Sequence, residues 1–179
     1  MDPGLHHLQG KTERVKPADL IELLRECYRD KAVLRQRHIA AARLVTDYDF
    51  NNTYQYVINR EEIQLQWLRD AIEDRGAKVD DVPEPDVTST GKGKGAQLAL
   101  FRDDVAGAQA FIDKWTPRVD AMTNARNRSM LRVIVGETME AKRFFEQMAA
   151  GRTDLLGRSA DGARTAGAVM PTRWVGDPR

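Results

Sequence analysis

The sequence has little of what several large classes of protein require. A single cysteine, Cys27, among 179 residues excludes an intramolecular disulfide framework and a cysteine-rich zinc site. The 28 basic and 27 acidic residues leave a net charge of +1, which gives no bulk electrostatic case for binding nucleic acid or an acidic membrane surface. No apolar run approaches the roughly 20 residues that span a bilayer, and residues 1–16 lack the apolar core of a signal peptide. We therefore expect a soluble cytoplasmic protein that binds neither nucleic acid nor a membrane.

Glycine and proline are absent from residues 18–75 and scarce in residues 97–150. Both regions are rich in Leu, Arg, Glu, Ala and Gln, which are good helix formers. The segment between them is dense in Pro, Gly, Asp, Ser and Thr, as is typical of a loop. We therefore predict a helical domain over 17–150 with a crossover loop at 77–102, a flexible N-terminal segment at 1–16 and an extended C-terminal tail at 151–179.

Apolar residues recur at helical spacing along four stretches of this domain. Pro17 suits the start of the first helix, the turn-forming residues 46–53 separate it from the second, and Gly76 suits the end of the second. The four predicted seams are Leu20, Leu24, Cys27, Leu34, Ala41 and Val45; Tyr54, Ile58, Glu61, Leu65, Leu68 and Ile72; Val105, Ala108, Ile112, Trp115 and Val119; and Met130, Ile134, Glu137, Ala141, Phe144 and Met148.

The third helix is expected to begin near Asp103 and the fourth near Thr123, ending at Gly151. The dipeptide at 116–117, Thr-Pro, leaves two alternatives. It either kinks the third helix or begins one longer final helix, because Thr favours the N-cap position and Pro the first helical position.

The lengths of the connections predict the topology. Short connections make the first and second helices antiparallel neighbours, and likewise the third and fourth. The linker between the two pairs has about 26 residues, and at about 3.3 Å per residue it can run the whole length of a bundle of helices about 36 Å long. Two antiparallel helical hairpins joined by a long crossover make the all-α, ferritin-like arrangement of a four-helix bundle.

Charged residues interrupt the predicted seams. Glu61 falls within the second seam and Glu137 at the matching place in the fourth, so both carboxylates are expected to face inward near mid-helix. Lys31 and His38 fall on the seam of the first helix, one heptad apart. A carboxylate in a dry bundle core must be paired, protonated or bound to a cation.

Two short windows carry a resemblance to a known family. The second helix contains EEIQ at 61–64 followed by Trp67-Leu68, and the fourth contains ETME at 137–140 followed by Phe144-Phe145. With the predicted topology, residues 18–150 resemble the ferritin-like superfamily, including rubrerythrins and bacterioferritins. Those families place Glu-x-x-His on the second and fourth helices, and a further Glu on the first and third, around two metal ions. The resemblance therefore implies a di-metal centre in the bundle.

The sequence departs from that pattern. Gln64 and Glu140 stand where the family has histidine, and the first-helix window at 26–29 offers no acid on the predicted seam. The third helix offers only the aspartates at 103–104, near its predicted start, and Asp113 off the seam. An intact cage of four carboxylates and two histidines is therefore not expected.

What remains is a weakened or lost di-metal site. Its candidate ligands are Glu61, Glu137, Glu140 and His38, and its hard oxygen donors suit Fe or Mn better than Zn. The equal alternative is that no cofactor binds, and that the inward carboxylates pair with Lys31, His38 or another base. The sequence makes no case for a particular reaction, so whether the protein is an enzyme stays open.

The register of the first hairpin decides which base faces Glu61. A turn centred near Asp49 sets His38 opposite Glu61, which permits a metal or an acid–base pair. A turn centred near Thr46 instead sets Lys31 opposite Glu61 or its neighbour in the chain, which gives a buried ion pair.

Some apolar residues point to self-association. Trp67, Trp115, Phe144 and Phe145 are predicted to be core aromatics or dimer contacts, and we expect a homodimer. The tail carries isolated apolar anchors in small-residue surroundings, which leaves three alternatives: it wraps across a partner subunit, packs on its own bundle, or is disordered.

Overall fold

The computed structural model describes residues 17–82 and 93–157, and within those ranges it contains four α-helices and no strand. They are α1, Pro17–Leu44; α2, Tyr48–Glu73; α3, Lys94–Asp120; and α4, Ala125–Ala149. The predicted all-α four-helix bundle is confirmed. No helix in the described ranges combines the length and apolarity that crossing a membrane requires. The predictions for 1–16 and for most of the tail, including its wrapping on a partner, lie outside the described residues.

The first hairpin closes over a connection of three residues, 45–47. The Asp47 carboxylate caps α2 by accepting from the backbone N–H groups of Asp49 and Phe50, both at 3.1 Å. The side-chain amide of Asn51 donates back to the Ala42 carbonyl at 2.9 Å, which satisfies one of the free carbonyls at the end of α1. Of the stretch 46–53 predicted to separate the helices, only 46–47 does so, because α2 begins at Tyr48 and Asn51 closes the connection from the first turn of α2.

The start of α3 corrects the sequence prediction. The helix begins at Lys94, after Gly93 at a φ of 91°, and not near Asp103. Leu100 and Phe101 lie in this earlier part and are 5% and 2% exposed, so tertiary burial stabilises a segment whose glycines suggested a loop. The crossover is correspondingly shorter than the predicted 77–102.

The alternatives at Pro117 resolve in favour of α3. Pro117 lies in the last turns of α3, which continues to Asp120, and α4 begins after Asn124, whose side chain accepts from the Asn127 N–H at 3.0 Å. A proline near a helix end removes one ladder hydrogen bond, yet its own carbonyl still accepts from the Ala121 N–H at 3.1 Å.

Ion pairs fix the direction of the two hairpins. Glu26 of α1 pairs with Arg118 of α3 at 2.8 Å, while Arg37, further along α1, donates to Asp104, earlier in α3, at 2.8 Å. Helices α1 and α3 are therefore antiparallel, and α2 and α3 run parallel. With α1 against α2, α3 against α4, and α2 against α4, the chain forms two antiparallel hairpins joined by a long crossover, as predicted.

The apolar core is divided into two clusters, one toward each end of the bundle. The first contains Leu24, Cys27, Tyr28, Ala32, Leu34, Leu65, Leu68, Ala71, Ile72, Phe111, Trp115, Val119, Met122, Leu131, Ile134 and Val135. The second contains Ile39, Ala41, Ala42, Val45, Tyr54, Val57, Ile58, Leu100, Phe101, Ala141, Phe145 and Met148. Cys27 is 1% exposed and burial raises the pKa of its thiol, as expected of a small core residue. Polar side chains occupy the level between the clusters.

Candidate functional site

Four buried polar side chains form a layer between the two apolar clusters. Lys31 and His38 come from α1, Glu61 from α2 and Thr138 from α4, and each is at most 2% exposed. We call these four residues the polar layer. Helical periodicity places each of them on the inner face of its helix, so the layer is built by the same repeat that builds the core.

Glu61 is the centre of the polar layer. Its Oε1 accepts from Lys31 Nζ at 2.9 Å, and its Oε2 lies 2.8 Å from His38 Nδ1. Burial alone would raise the pKa of Glu61, but the nearby His38 and Lys31 lower it to about 2. Glu61 is therefore ionised at neutral pH, with each oxygen held by a nitrogen.

Lys31 is enclosed on three sides. Besides Glu61, its ammonium donates to Thr138 Oγ1 at 3.0 Å and lies 5.4 Å from the centroid of the Phe111 ring. An ammonium group has three donors, and the face of an aromatic ring attracts a cation. All four helices thus contribute to the surroundings of this one charge. The Lys31 side chain does not reach out to solvent, since it is 1% exposed.

His38 is held less completely. Its ring packs against Phe145, with centroids 4.8 Å apart, and its Nε2 has no hydrogen-bond partner among the described residues. Burial would lower the pKa of His38, but the charge of Glu61 and the hydrogen bond to it raise the pKa above its ordinary value. The imidazole therefore stabilises Glu61 most fully when it carries a proton.

The two hairpin registers considered from the sequence turn out not to exclude each other. Lys31 and His38 lie on one face of α1, and Glu61 bonds to both. The long side chain of Lys31 spans the distance along α1 to the level of Glu61, a distance for which an imidazole is too short.

The inward position predicted for Glu137 is occupied by Thr138 instead. Thr138 is 2% exposed, whereas the Glu137 side chain is 16% exposed and lies at the edge of the bundle. Arg60 and the Gln64 amide both donate to the Glu137 carboxylate. Thr138 can be buried because its hydroxyl donates to the Ile134 carbonyl at 2.8 Å while it accepts from the lysine.

The remaining candidate ligands meet at a narrow crevice between α2 and α4. Glu140 lines it with Glu61, Glu137 and Arg60, and its volume is about 10 Å³, enough for one water molecule. Gln64, which stands where the family has histidine, is 1% exposed and also lines the crevice. Two larger cavities of 520 and 510 Å³ lie elsewhere, and none of the polar-layer residues lines them.

A second buried carboxylate was missed by sequence reasoning. Asp104 is 0% exposed; it accepts from Arg37 Nε at 2.8 Å and from the hydroxyl of Tyr54. Burial, with the charge of Asp104 next in size, raises the pKa of Tyr54 well above its ordinary value. The spacing Phe101, Asp104, Ala108 continues the α3 seam, and that signal becomes readable once α3 is known to begin at Lys94.

Removing the Tyr54 hydroxyl should therefore destabilise the fold. Tyr54→Phe leaves the buried Asp104 with Arg37 alone, and we expect a loss of about 1–3 kcal/mol in the free energy of unfolding. Urea denaturation checks this, with Tyr56→Phe as the matched control, because Tyr56 is 37% exposed. Equal effects of the two substitutions would contradict the role given to the Tyr54–Asp104 bond.

The donor set of the polar layer does not fit the di-metal cage that the resemblance implies. The layer has a single carboxylate, and both of its oxygens already face nitrogen atoms of Lys31 and His38. Within residues 17–82 and 93–157, no group of three or more His, Cys, Asp or Glu side chains is arranged to hold a metal ion. The chemistry this arrangement supports directly is neutralisation of the Glu61 charge by Lys31 and by the protonated His38.

Comparison of the chain with protein-family models, with curated proteins and with solved structures finds no match to any of them.

Proposed function

We propose that this chain is a structural or interaction protein, a four-helix bundle of ferritin-like arrangement in which the ammonium group of Lys31 takes the place of an interior metal ion. The observation that carries the proposal is the position of Lys31 Nζ, 2.9 Å from Glu61 and enclosed by all four helices. A divalent cation and an ammonium group both neutralise an inward carboxylate, but the ammonium is covalently part of the chain.

The arrangement of charge supports a structural role. A buried carboxylate without a partner costs several kcal/mol, and the Lys31–Glu61 pair with its added hydrogen bonds reduces that cost. The layer also favours one register of the helices. Lys31 can bond to both Glu61 and Thr138 only when α1, α2 and α4 are correctly aligned along the bundle. We infer that the polar layer selects one packing of the four helices.

A weak divalent-cation site is the second candidate, and one observation favours it. The carboxylates of Glu61, Glu137 and Glu140 line the same crevice, and oxygen donors suit Mn or Fe. His38, the predicted nitrogen ligand, contacts Glu61 but does not line this crevice, so the donors there are oxygen atoms. For such a site to fill, a cation has to displace Arg60 and Gln64 from Glu137 and to compete with Lys31 for Glu61.

Metal content and thermal stability separate the two candidates. The full chain, purified without chelator and dialysed after exposure to Fe²⁺ or Mn²⁺, should retain far less than one equivalent of metal by elemental analysis. Its melting temperature should not change with added Mn²⁺, whereas a ligand at one hundred times its Kd would stabilise the fold by about 2.7 kcal/mol.

The matched variants are Glu61→Ala and Glu137→Ala. Stoichiometric metal in the unmodified chain that is lost in both variants would overturn the metal-free proposal and establish the second candidate. Metal at a low level that is the same in all three chains supports the proposal.

A further inference from the structure

Several large apolar side chains face outward from the bundle. Those exposed among the described residues are Val33, Leu44, Tyr56, Ile63, Trp67, Val133, Met139 and Leu156. Tyr56, Ile63 and Trp67 recur at steps of seven and four along α2, so they form one stripe on its outer face. Exposed apolar side chains are ordinary when scattered, but a contiguous set marks an interaction surface.

The register between α2 and α4 adds residues of α4 to this stripe. Tyr56 contacts Phe144 with ring centroids 5.8 Å apart, and Glu137 accepts from both Arg60 and Gln64. In these antiparallel helices, residues that face each other therefore have numbers that sum to about 200. This register sets Trp67 beside Val133, Ile63 beside Gly136 and Arg60 level with Glu140. These six residues with Tyr56 are called the α2–α4 face.

Gly136 is a notch at the centre of the α2–α4 face. It lies inside α4 and is exposed, and a Cβ added to it would meet no heavy atom within 4 Å. Nothing that the structure describes requires glycine here, although glycine in a helix costs about 0.5–1 kcal/mol relative to alanine. A notch of this kind lets a large side chain of a second molecule approach the helix backbone.

We propose that the α2–α4 face is the surface through which two copies of this chain associate, related by a two-fold axis parallel to the helices. Such an axis keeps every residue at its height along the bundle and lays α2 of each copy over α4 of the other. Ile63 then packs into the Gly136 notch of the second copy, Trp67 packs on its Val133, and Arg60 meets its Glu140.

The charges on this face favour a second copy over an unrelated partner. Arg60 is 44% exposed in its side chain and donates to Glu137 of its own chain, but a guanidinium has five N–H donors and can pair with a second carboxylate. Glu140, at the same height on α4, is partly exposed and opposite in sign. The two-fold operation therefore creates two identical ion pairs around an apolar centre, which is the self-complementarity that an isologous interface requires. This inference rests on the proposal that the chain is an interaction protein and names its partner.

Sedimentation equilibrium of the full chain across the micromolar to submillimolar range tests the interface. The unmodified chain should show a reversible monomer–dimer equilibrium. Ile63→Glu should raise the dimer Kd at least tenfold, since 1.4 kcal/mol corresponds to about a tenfold change. The matched control is Val33→Glu, because Val33 is 45% exposed against 44% for Ile63 but lies on α1, which contributes no residue to the α2–α4 face. This control should leave the Kd unchanged.

Charge reversal supplies a second measurement. Glu140→Arg should weaken the dimer by setting like charges against each other, and Glu140→Gln, which removes the charge without reversing it, should weaken it less. A chain that stays monomeric throughout, or a dimer weakened equally by Ile63→Glu and Val33→Glu, would overturn the inference. These substitutions lie outside the polar layer. If the dimer proposal is wrong, the molecular mass from sedimentation will show it. If the proposal of a metal-free interior is wrong, the metal content will show it.

Discussion

Glu61→Leu is expected to lower the free energy of unfolding by about 3–5 kcal/mol, because it removes the carboxylate and strands the buried Lys31 ammonium. Among the contacts described above, the Lys31 ammonium would then keep the Thr138 hydroxyl and the Phe111 ring. The double variant Lys31→Met/Glu61→Leu should recover most of that loss, since apolar side chains of similar volume often replace a buried ion pair without cost.

A double-mutant cycle by urea denaturation measures the coupling between the two residues. Glu62→Leu is the matched control: its side chain is 59% exposed, and its partner Arg35 is 20% exposed. Because the carboxylate of this pair is open to solvent, removing it should cost about 0–1 kcal/mol. Additive losses in the double variant, or equal losses for Glu61→Leu and Glu62→Leu, would show that Lys31 and Glu61 do not act as a pair.

The stability contributed by the polar layer should be greatest between about pH 4.5 and 6.5. Glu61 has its pKa lowered from 4.5 to about 2, so its contribution is complete above pH 4.5 and is lost as the pH falls toward 2. That shift corresponds to about 3 kcal/mol. The pKa of His38 is raised above 6.5, so its contribution is complete below pH 6.5 and is lost as the pH rises through the raised value.

Comparing the unmodified chain with His38→Gln isolates the histidine part of this dependence. The difference in their free energies of unfolding should shrink as the pH rises above 6.5, because only the unmodified chain loses a proton from residue 38. Asp104 also raises the pKa of His38 and Lys31 lowers it, so both are kept in the comparison. A difference that stays constant from weakly acidic to alkaline pH would contradict the proposed proton on His38.

How far the sequence alone could go is clearest on α4. Apolar residues occur there in adjacent pairs, Met130–Leu131 and Phe144–Phe145, so two neighbouring stripes are both compatible with helical spacing. The stripe chosen from the sequence contains Glu137, but the buried one contains Leu131, Thr138 and Phe145. Packing decides between them, because Thr138 can satisfy its hydroxyl inside whereas Glu137 finds Arg60 and Gln64 at the edge.

The sequence by itself determined the four helices, the tight first turn, the two hairpins with their long crossover, and the presence of Glu61 inside. Those features follow from local propensity, from the repeat of apolar residues and from loop length. Only the tertiary structure decided that Glu61 is neutralised by both Lys31 and His38, and that Asp104 is buried beside Tyr54. The partner of a buried charge depends on the distance between helices and on the reach of each side chain, and neither quantity is contained in the spacing of residues along one helix.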